Sequence, residues 1–462
     1  NFASKEVLVA QETFSDRLRQ AMSDRDVRQS DVIRASEMLG KKLGKSQMSQ
    51  YVSGKTIPRR DVAELLARIL EVDVTWLLAS DADQGETSSP RNVSKPEPNP
   101  SAQIARSATM RTFSKSSKLD NVLYDVRGPV VDEAARMEDE GERILKLNIG
   151  NPAPFGFRTP DEVIKDMRQQ LPDCEGYSNS RGLFSARKAI MQYSQIKGLP
   201  NVQMEHIYTG NGVSELIQLS MNALLDNGDE ILIQDPQWLN YVAQVQYCGG
   251  VPVRVPTKAE DRFAMQPDVI ESLITPRTKA IMVNSPNNPT GEVYSDEQLA
   301  AIAAIAEKHD LLVISVEVYN TLLYTGAKFR SIAELPGMKA RTVVVNSFSK
   351  SYAMTGWRIG YAAGPADIID RMVKCQENFN ACANAPGQYA AAIALEHPEL
   401  SEQLCTVFAG RRKLLLAGLA GIDGIVCSQP EGAFYAFPDI SAFGLTSQEF
   451  CEQLLERQKV VC

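Results

Sequence analysis

Four short apolar runs constrain this chain most: Glu230-Ile-Leu-Ile233, Ala280-Ile-Met-Val283, Leu311-Leu-Val-Ile-Ser315 and Thr342-Val-Val-Val345. Helix-patterned segments separate them, such as Leu299-Ala-Ala-Ile-Ala-Ala-Ile-Ala306. Short apolar runs that alternate with helices predict buried strands of a mainly parallel sheet with helices on its faces. Ligands of such sheets sit at the carboxyl ends of the strands. A chain of 462 residues is long enough for two or three domains. Its 44% hydrophobic and 23% charged content is that of an ordinary globular protein.

Residues 81–116 break the pattern. Alternate prolines in Lys95-Pro-Glu-Pro-Asn-Pro100 and the polar run Asp81-Ala-Asp-Gln-Gly-Glu-Thr-Ser-Ser-Pro90 describe an extended linker. The expected organisation is a small helical domain over 1–80, a linker over 81–116 and a large α/β domain over 117–462. The net charge of −8 argues against a chain that coats nucleic acid or membrane as a whole, but leaves room for one DNA-binding module. No apolar run reaches the roughly eighteen residues that a membrane helix needs. Eight scattered cysteines without a C-x-x-C pair read as reduced thiols of a cytoplasmic protein. Three histidines without metal-ligand spacing give no reason to expect a metal. The chain opens without Met or a secretory signal, so its natural start is expected to lie upstream.

The end of the last apolar run carries the chemistry. In Asn346-Ser-Phe-Ser-Lys350 a lysine follows two small hydroxyl residues, and Arg358 stands eight positions later between glycines in Gly356-Trp-Arg-Ile-Gly360. Lysine shifts its pKa readily when desolvated, which suits a nucleophilic amine. Arginine offers a rigid, permanently charged fork for phosphate. The plain alternative is a strand end followed by a solvated loop. Gly210-Asn-Gly-Val-Ser-Glu215, before an apolar helix, would leave backbone N–H groups free for an anion.

These two segments, with Leu147-Asn-Ile-Gly-Asn-Pro-Ala-Pro-Phe155, Gly176-Tyr-Ser and Ser285-Pro-Asn-Asn-Pro-Thr-Gly291, resemble the class I/II aminotransferases of the bacterial alanine aminotransferase type. The similarity runs from about Ser117 to the end. It implies a fold type I pyridoxal-phosphate-dependent transferase with a small α/β domain, working as a homodimer. By resemblance Lys350 is the lysine that binds pyridoxal 5′-phosphate and moves the proton. Gly212, Val213, Ser214, Ser347 and Arg358 hold the cofactor, chiefly its phosphate, and Tyr177 reaches the phosphate of the neighbouring subunit. Trp238 occupies the place of the aromatic residue that stacks on the pyridine ring, where the family carries Tyr or Phe followed by Pro. Asn288 and Tyr319 share the phenolic oxygen, and Gly150 and Asn288 meet the substrate. The implied reaction is a ping-pong transamination, with alanine and 2-oxoglutarate as the favoured pair.

Two departures from the pattern bear on activity. Val316 stands where the family carries the aspartate that pairs with the cofactor's ring nitrogen. Glu317 is a poor substitute, because neighbours along a strand point to opposite faces. The carboxylate-binding arginine that the family places near its C-terminus has no counterpart before Cys462; Arg457, in a helical segment, does not replace it.

The N-terminal block reads as short helices, with Trp76-Leu-Leu packing behind the fourth. Ser46-Gln-Met-Ser-Gln-Tyr-Val-Ser53, followed by Gly54-Lys-Thr-Ile-Pro58, resembles the recognition helix of phage-repressor-type helix-turn-helix domains. Met48 would be core. Lys45, Ser46, Gln47 and Gln50 would face the major groove of DNA, where Gln pairs with adenine edges. Lys41, Lys42, Lys55, Arg59 and Arg60 would contact phosphates. The link Glu37–Gly44 is longer than the family's tight turn, and the plain alternative is a helical interaction domain with a solvated basic face. A DNA-binding head on an aminotransferase-like body also resembles bacterial regulators that sense pyridoxal phosphate. Two readings therefore stand beside the aminotransferase: such a regulator, with weak or no transaminase activity, and an inactive scaffold.

Overall fold

The computed structural model describes residues 13–25, 27–39, 43–70, 72, 74–78, 116 and 128–462. Residues 81–115 of the proposed linker at 81–116 and the candidate phosphate contacts Lys41 and Lys42 lie outside the described residues. The chain divides into two compact units, Asn1–Arg111 and Thr112–Cys462.

The described part of the first unit is helical: α1 (Phe14–Asp24), α2 (Gln29–Met38), α3 (Lys45–Val52), α4 (Arg60–Ile69) and α5 (Val74–Leu78). Thr13 caps α1, accepting from the Asp16 N–H while the Asp16 carboxylate accepts from the Thr13 N–H. One apolar core gathers Phe14, Leu18, Val32, Met48, Leu66 and Leu77. The segment behind the fourth helix packs through Leu77, which is fully buried, while Trp76 is 37% exposed. This corrects the expectation for Trp76: a single helical turn can turn only one side toward the core.

The second unit is built on a seven-stranded sheet. In chain order its strands are β1 (Ile207–Gly210), β2 (Glu230–Asp235), β3 (Val251–Pro256), β4 (Thr278–Asn284), β5 (Leu312–Val316), β6 (Thr342–Ser347) and β7 (Gly360–Ala363). Their order in space is β1-β7-β6-β5-β4-β2-β3. All pairings are parallel except those of β7, which runs antiparallel to both β1 and β6. The sheet is therefore mixed, with the parallel part expected from the four apolar runs at its centre.

Side chains alternate across the strands and divide the core between the two faces. Met282, Ile314, Val343 and Val345 pack on one face with Leu216, Tyr241 and Ile369 of the helices Val213–Leu224, Asn240–Tyr247 and Ala366–Phe379. Leu232, Ile281 and Val313 face the other way, onto Leu299 and Ile302 of the helix Asp296–Lys308. Ile207, Val344 and Tyr361 join Met167, Ile190 and Ala391 in a third cluster. Smaller two-stranded pairings complete the unit: Leu145–Lys146 with Val460–Val461, parallel, and Val426–Cys427 with Pro438–Asp439, antiparallel. Among the described residues no helix is long and apolar enough to cross a membrane.

Candidate active site

The carboxyl ends of β1, β2, β4, β5 and β6 open toward one cavity of about 710 Å³. Lys350 lies on its wall, in the short helix Phe348–Ser351 that follows β6 directly. Its Nζ donates to the Gly150 carbonyl and stands 5.5 Å from the centre of the Phe434 ring. Burial, with Arg358 adding repulsion, lowers the Lys350 ammonium to about 8. At pH 7 about a tenth of this amine is therefore an uncharged nucleophile, far more than for an exposed lysine.

A second group of residues forms an anion cradle. The helix Val213–Leu224 starts at the cavity, with Val213 and Ser214 lining it. Gly212 precedes that helix at φ 92°, and a Cβ there would lie 2.6 Å from the Arg358 guanidinium. Only glycine allows the arginine this close to the helix N-terminus. Arg358 donates to the Thr355 carbonyl at 3.2 Å and to the Asn211 carbonyl at 3.4 Å. Ser347 and Ser349 line the same wall. Free backbone N–H groups, hydroxyls and a guanidinium thus converge where an anion would be stabilised.

Opposite them stand Asn288 and Tyr319. The Asn288 N–H donates to Asn284 Oδ1 at 2.9 Å, and Asn284 in turn donates to the Val316 carbonyl at 3.0 Å. The ends of β4 and β5 therefore hold Asn288 in place. Tyr319 and Tyr435 share a hydroxyl hydrogen bond of 2.5 Å, and Asn288 Nδ2 approaches Tyr435 Oη at 3.5 Å. Burial first, then Tyr435, raises the Tyr319 hydroxyl well above its usual range, so it stays protonated. Trp238 also lines the cavity and packs edge-on against the buried Tyr241. Gly150 makes a second close approach: a Cβ there would fall 2.5 Å from Tyr435 Oη and 3.2 Å from Lys350 Nζ.

One cavity thus gathers Gly150, Val213, Ser214, Trp238, Asn288, Tyr319, Ser347, Lys350 and Arg358. Tyr177 is absent from it and is 92% exposed. Val316 forms part of its wall at the end of β5, 1% exposed. Glu317 turns away from the cavity. It is buried and accepts from Ser315 Oγ at 2.8 Å and from Ser331 Oγ at 2.5 Å. Burial raises its carboxyl to about 7. Tyr435, Ser349 and Thr355 line the cavity without having been singled out from the sequence. The signal for Tyr435 was the aromatic pair in Gly432-Ala-Phe-Tyr435, which looks like any buried strand end until the fold brings it to Lys350.

In the first unit Lys45, Ser46, Gln47 and Gln50 are exposed on α3, while Met48 is fully buried. Gln47 Nε2 donates to Tyr51 Oη at 2.8 Å. Lys55, Arg59 and Arg60 are exposed nearby in sequence, and Arg60 pairs with Glu64 at 3.2 Å.

Comparison with known proteins agrees with this geometry. Residues 142–462 match the family described as aminotransferase class I and II. The chain is 44% identical over 342 residues to the alanine aminotransferase of Mycobacterium tuberculosis, covering 71% of this chain and 78% of that protein. It is 43% identical over 342 residues to the glutamate-pyruvate aminotransferase AlaA of Escherichia coli, covering 72% and 84%. The crystal structure of an aminotransferase from Escherichia coli superimposes with a TM-score of 0.72 at 41% identity, covering 76% of this chain and 89% of that one. The chain belongs to the class I and II aminotransferases, enzymes that depend on pyridoxal 5′-phosphate.

Proposed function

We propose that the chain transfers an amino group between L-alanine and 2-oxoglutarate. The relatives named for alanine and for glutamate-pyruvate transfer support this pair. The carrying observation is Lys350, a buried amine lowered to about 8, beside an anion cradle in one cavity. The residues fit the cofactor: the space at Gly212 that a Cβ would fill lies against Arg358. Gly212, Val213, Ser214, Ser347 and Arg358 would hold its phosphate. Asn288 and Tyr319 would hold the phenolic oxygen, and Trp238 would lie on the ring. The cofactor would supply an electron sink for the bond broken at the substrate's α-carbon. Lys350 Nζ would carry the proton to and from that carbon. Gly150 and Asn288 would border the amino acid. Tyr177, exposed here, would serve the site of a second subunit in a homodimer.

Alanine and 2-oxoglutarate, supplied together, should yield pyruvate, and Lys350→Ala should abolish it. Pyruvate formed at an undiminished rate by that variant would overturn the assignment.

A second reading has one observation in its favour. Val316 offers no charge and no acceptor to the cavity, so the body could bind its cofactor and act as a regulator with weak or no transaminase activity. Under either reading the first unit would bind DNA through Lys45, Ser46, Gln47 and Gln50, a reading supported by their exposure beside the buried Met48. Binding to duplex DNA should weaken steeply with salt and be lost in Gln50→Ala at the preferred sequence. A variant that keeps the parent's preference for that sequence would remove the recognition role.

A further inference from the structure

The anion cradle is built from two distant parts of the chain, and Asn384 joins them. Its Nδ2 donates to the Arg358 carbonyl at 2.9 Å and to Asn211 Oδ1 at 3.0 Å, with a longer approach to the Trp357 carbonyl at 3.4 Å. Its backbone N–H donates to the same Asn211 Oδ1 at 2.9 Å. Its Oδ1 accepts from the Gly387 N–H at 2.7 Å, which caps the helix Ala385–Glu396. The side chain thus ties a helix start to both halves of the cradle.

Both halves need such a tie. Arg358 has φ 51°, a left-handed backbone that non-glycine residues avoid. Asn211 sits one residue before Gly212, in the turn that aims the helix N-terminus. Glu215 holds the other side of Asn211: Oε1 accepts from the Asn211 N–H at 2.9 Å and Oε2 from Asn211 Nδ2 at 3.1 Å. Asn380 Nδ2 donates to Glu215 Oε2 at 2.7 Å. The hydrogen bonds run without a break from Asn380 through Glu215, Asn211 and Asn384 to the Arg358 backbone.

We propose that Asn384 is a positioning residue for the phosphate group: it locks the Arg358 backbone against the Asn211–Ser214 turn, so that the guanidinium and the helix N-terminus meet on one phosphate. This rests on the reading of the cradle as the cofactor's phosphate site. β1 and β7 still pair beside the cradle, Gly210 opposite Gly360, but without the amide Arg358 can relax from its left-handed conformation and its guanidinium loses its aim at the helix N-terminus. The loss would fall on the phosphate alone, because the hydrogen bonds of Asn384 run to Asn211, Trp357, Arg358 and Gly387 and not to Lys350, Asn288 or Tyr319.

The test compares pyridoxal 5′-phosphate with pyridoxal, which lacks the phosphate, by absorbance titration of the unloaded protein. Asn384→Ser keeps a short capping hydroxyl for the helix but cannot span to Arg358 and Asn211. It should weaken pyridoxal 5′-phosphate roughly tenfold or more, the loss of a hydrogen bond around a charged group. Pyridoxal affinity and melting temperature should stay close to those of the parent. Asn384→Thr keeps a capping hydroxyl, adds no charge that would itself repel the phosphate, and removes the Nδ2 donations to Arg358, Asn211 and Trp357. It should show the same selective loss, and it decides the matter should the serine variant fail to fold. Equal losses for both ligands, or no loss for either, would overturn the proposal. Should the parent protein fail to prefer the phosphorylated ligand, the cradle reading itself falls and the role of Asn384 with it.

Discussion

Restoring a carboxylate at Val316 tests how much chemistry this site retains. Val316 ends β5 on the same sheet face as Ile314 and borders the cavity with Lys350. An aspartate there would point at the cavity, which Glu317 cannot do from its pocket between Ser315 and Ser331. A hydrogen bond to a charged group contributes about 1.5–3 kcal/mol. At about 1.36 kcal/mol per tenfold, Val316→Asp should raise transamination turnover about ten- to a hundredfold. The unloaded protein should lose stability at the same time. Removing a buried valine costs about 1.5–3 kcal/mol, and an unpartnered carboxyl in its place about 1–3 kcal/mol more. Cofactor should recover part of that loss by binding the folded state alone. Steady-state kcat and paired melts with and without pyridoxal 5′-phosphate read both effects. Unchanged or lower turnover in a folded, loaded variant would refute the argument that this position limits the chemistry.

Lys350→Ala should abolish the borohydride-trapped cofactor adduct, and a trapped adduct mapped to a different lysine would move the site. Because burial lowers Lys350 to about 8, its reactive neutral form grows as pH rises toward that value; adduct formation in the parent should climb and level off above about pH 8, rather than near the ordinary lysine value of about 10.4. Gly212→Ala puts a methyl 2.6 Å from Arg358 at φ 92°; it should cost about 1–2 kcal/mol of stability and weaken the phosphorylated cofactor, and a melt and titration matching the parent would contradict the crowding. Glu317 has its folded pKa raised to about 7, so the folded state holds more protons than the unfolded one between about pH 4.5 and 7, and stability falls as pH rises through that window. Glu317→Gln keeps the acceptor for both serines and should add about 3 kcal/mol at pH 8 but less than about 1 kcal/mol at pH 5, read from denaturant melts at each pH.

Much of the fold was legible because β2, β4, β5 and β6 are buried on both faces and read as continuous apolar runs. β1 and β7 escaped notice: Ile207-Tyr-Thr-Gly210 has strand-favouring residues but only four positions, and Gly360-Tyr-Ala-Ala363 is as short and mostly Gly and Ala, which carry little strand signal. β3, Val251-Pro-Val-Arg-Val-Pro256, holds two prolines, which suit the sheet edge it occupies. Lys350 and Arg358 were suggested by a strand-end lysine and an arginine between glycines, a pattern that a plain strand end also fits, and Gly212 was named through the family resemblance. Tyr435 and Asn384 could not be named. Their importance lies in contacts with residues far along the chain, to Tyr319 and Asn288 for one and to Asn211 and Arg358 for the other. The sense in which Glu317 cannot replace Val316 did follow from strand alternation alone.

An absorbance spectrum of the purified protein, first with pyridoxal 5′-phosphate and then with L-alanine, tests the central claim most directly. The account predicts a bound-cofactor band that Lys350→Ala lacks and that alanine converts to the pyridoxamine phosphate form. Absence of any bound-cofactor band in the parent protein would contradict the assignment of the cavity, and a bound band that no amino acid converts would contradict its role in amino-group transfer.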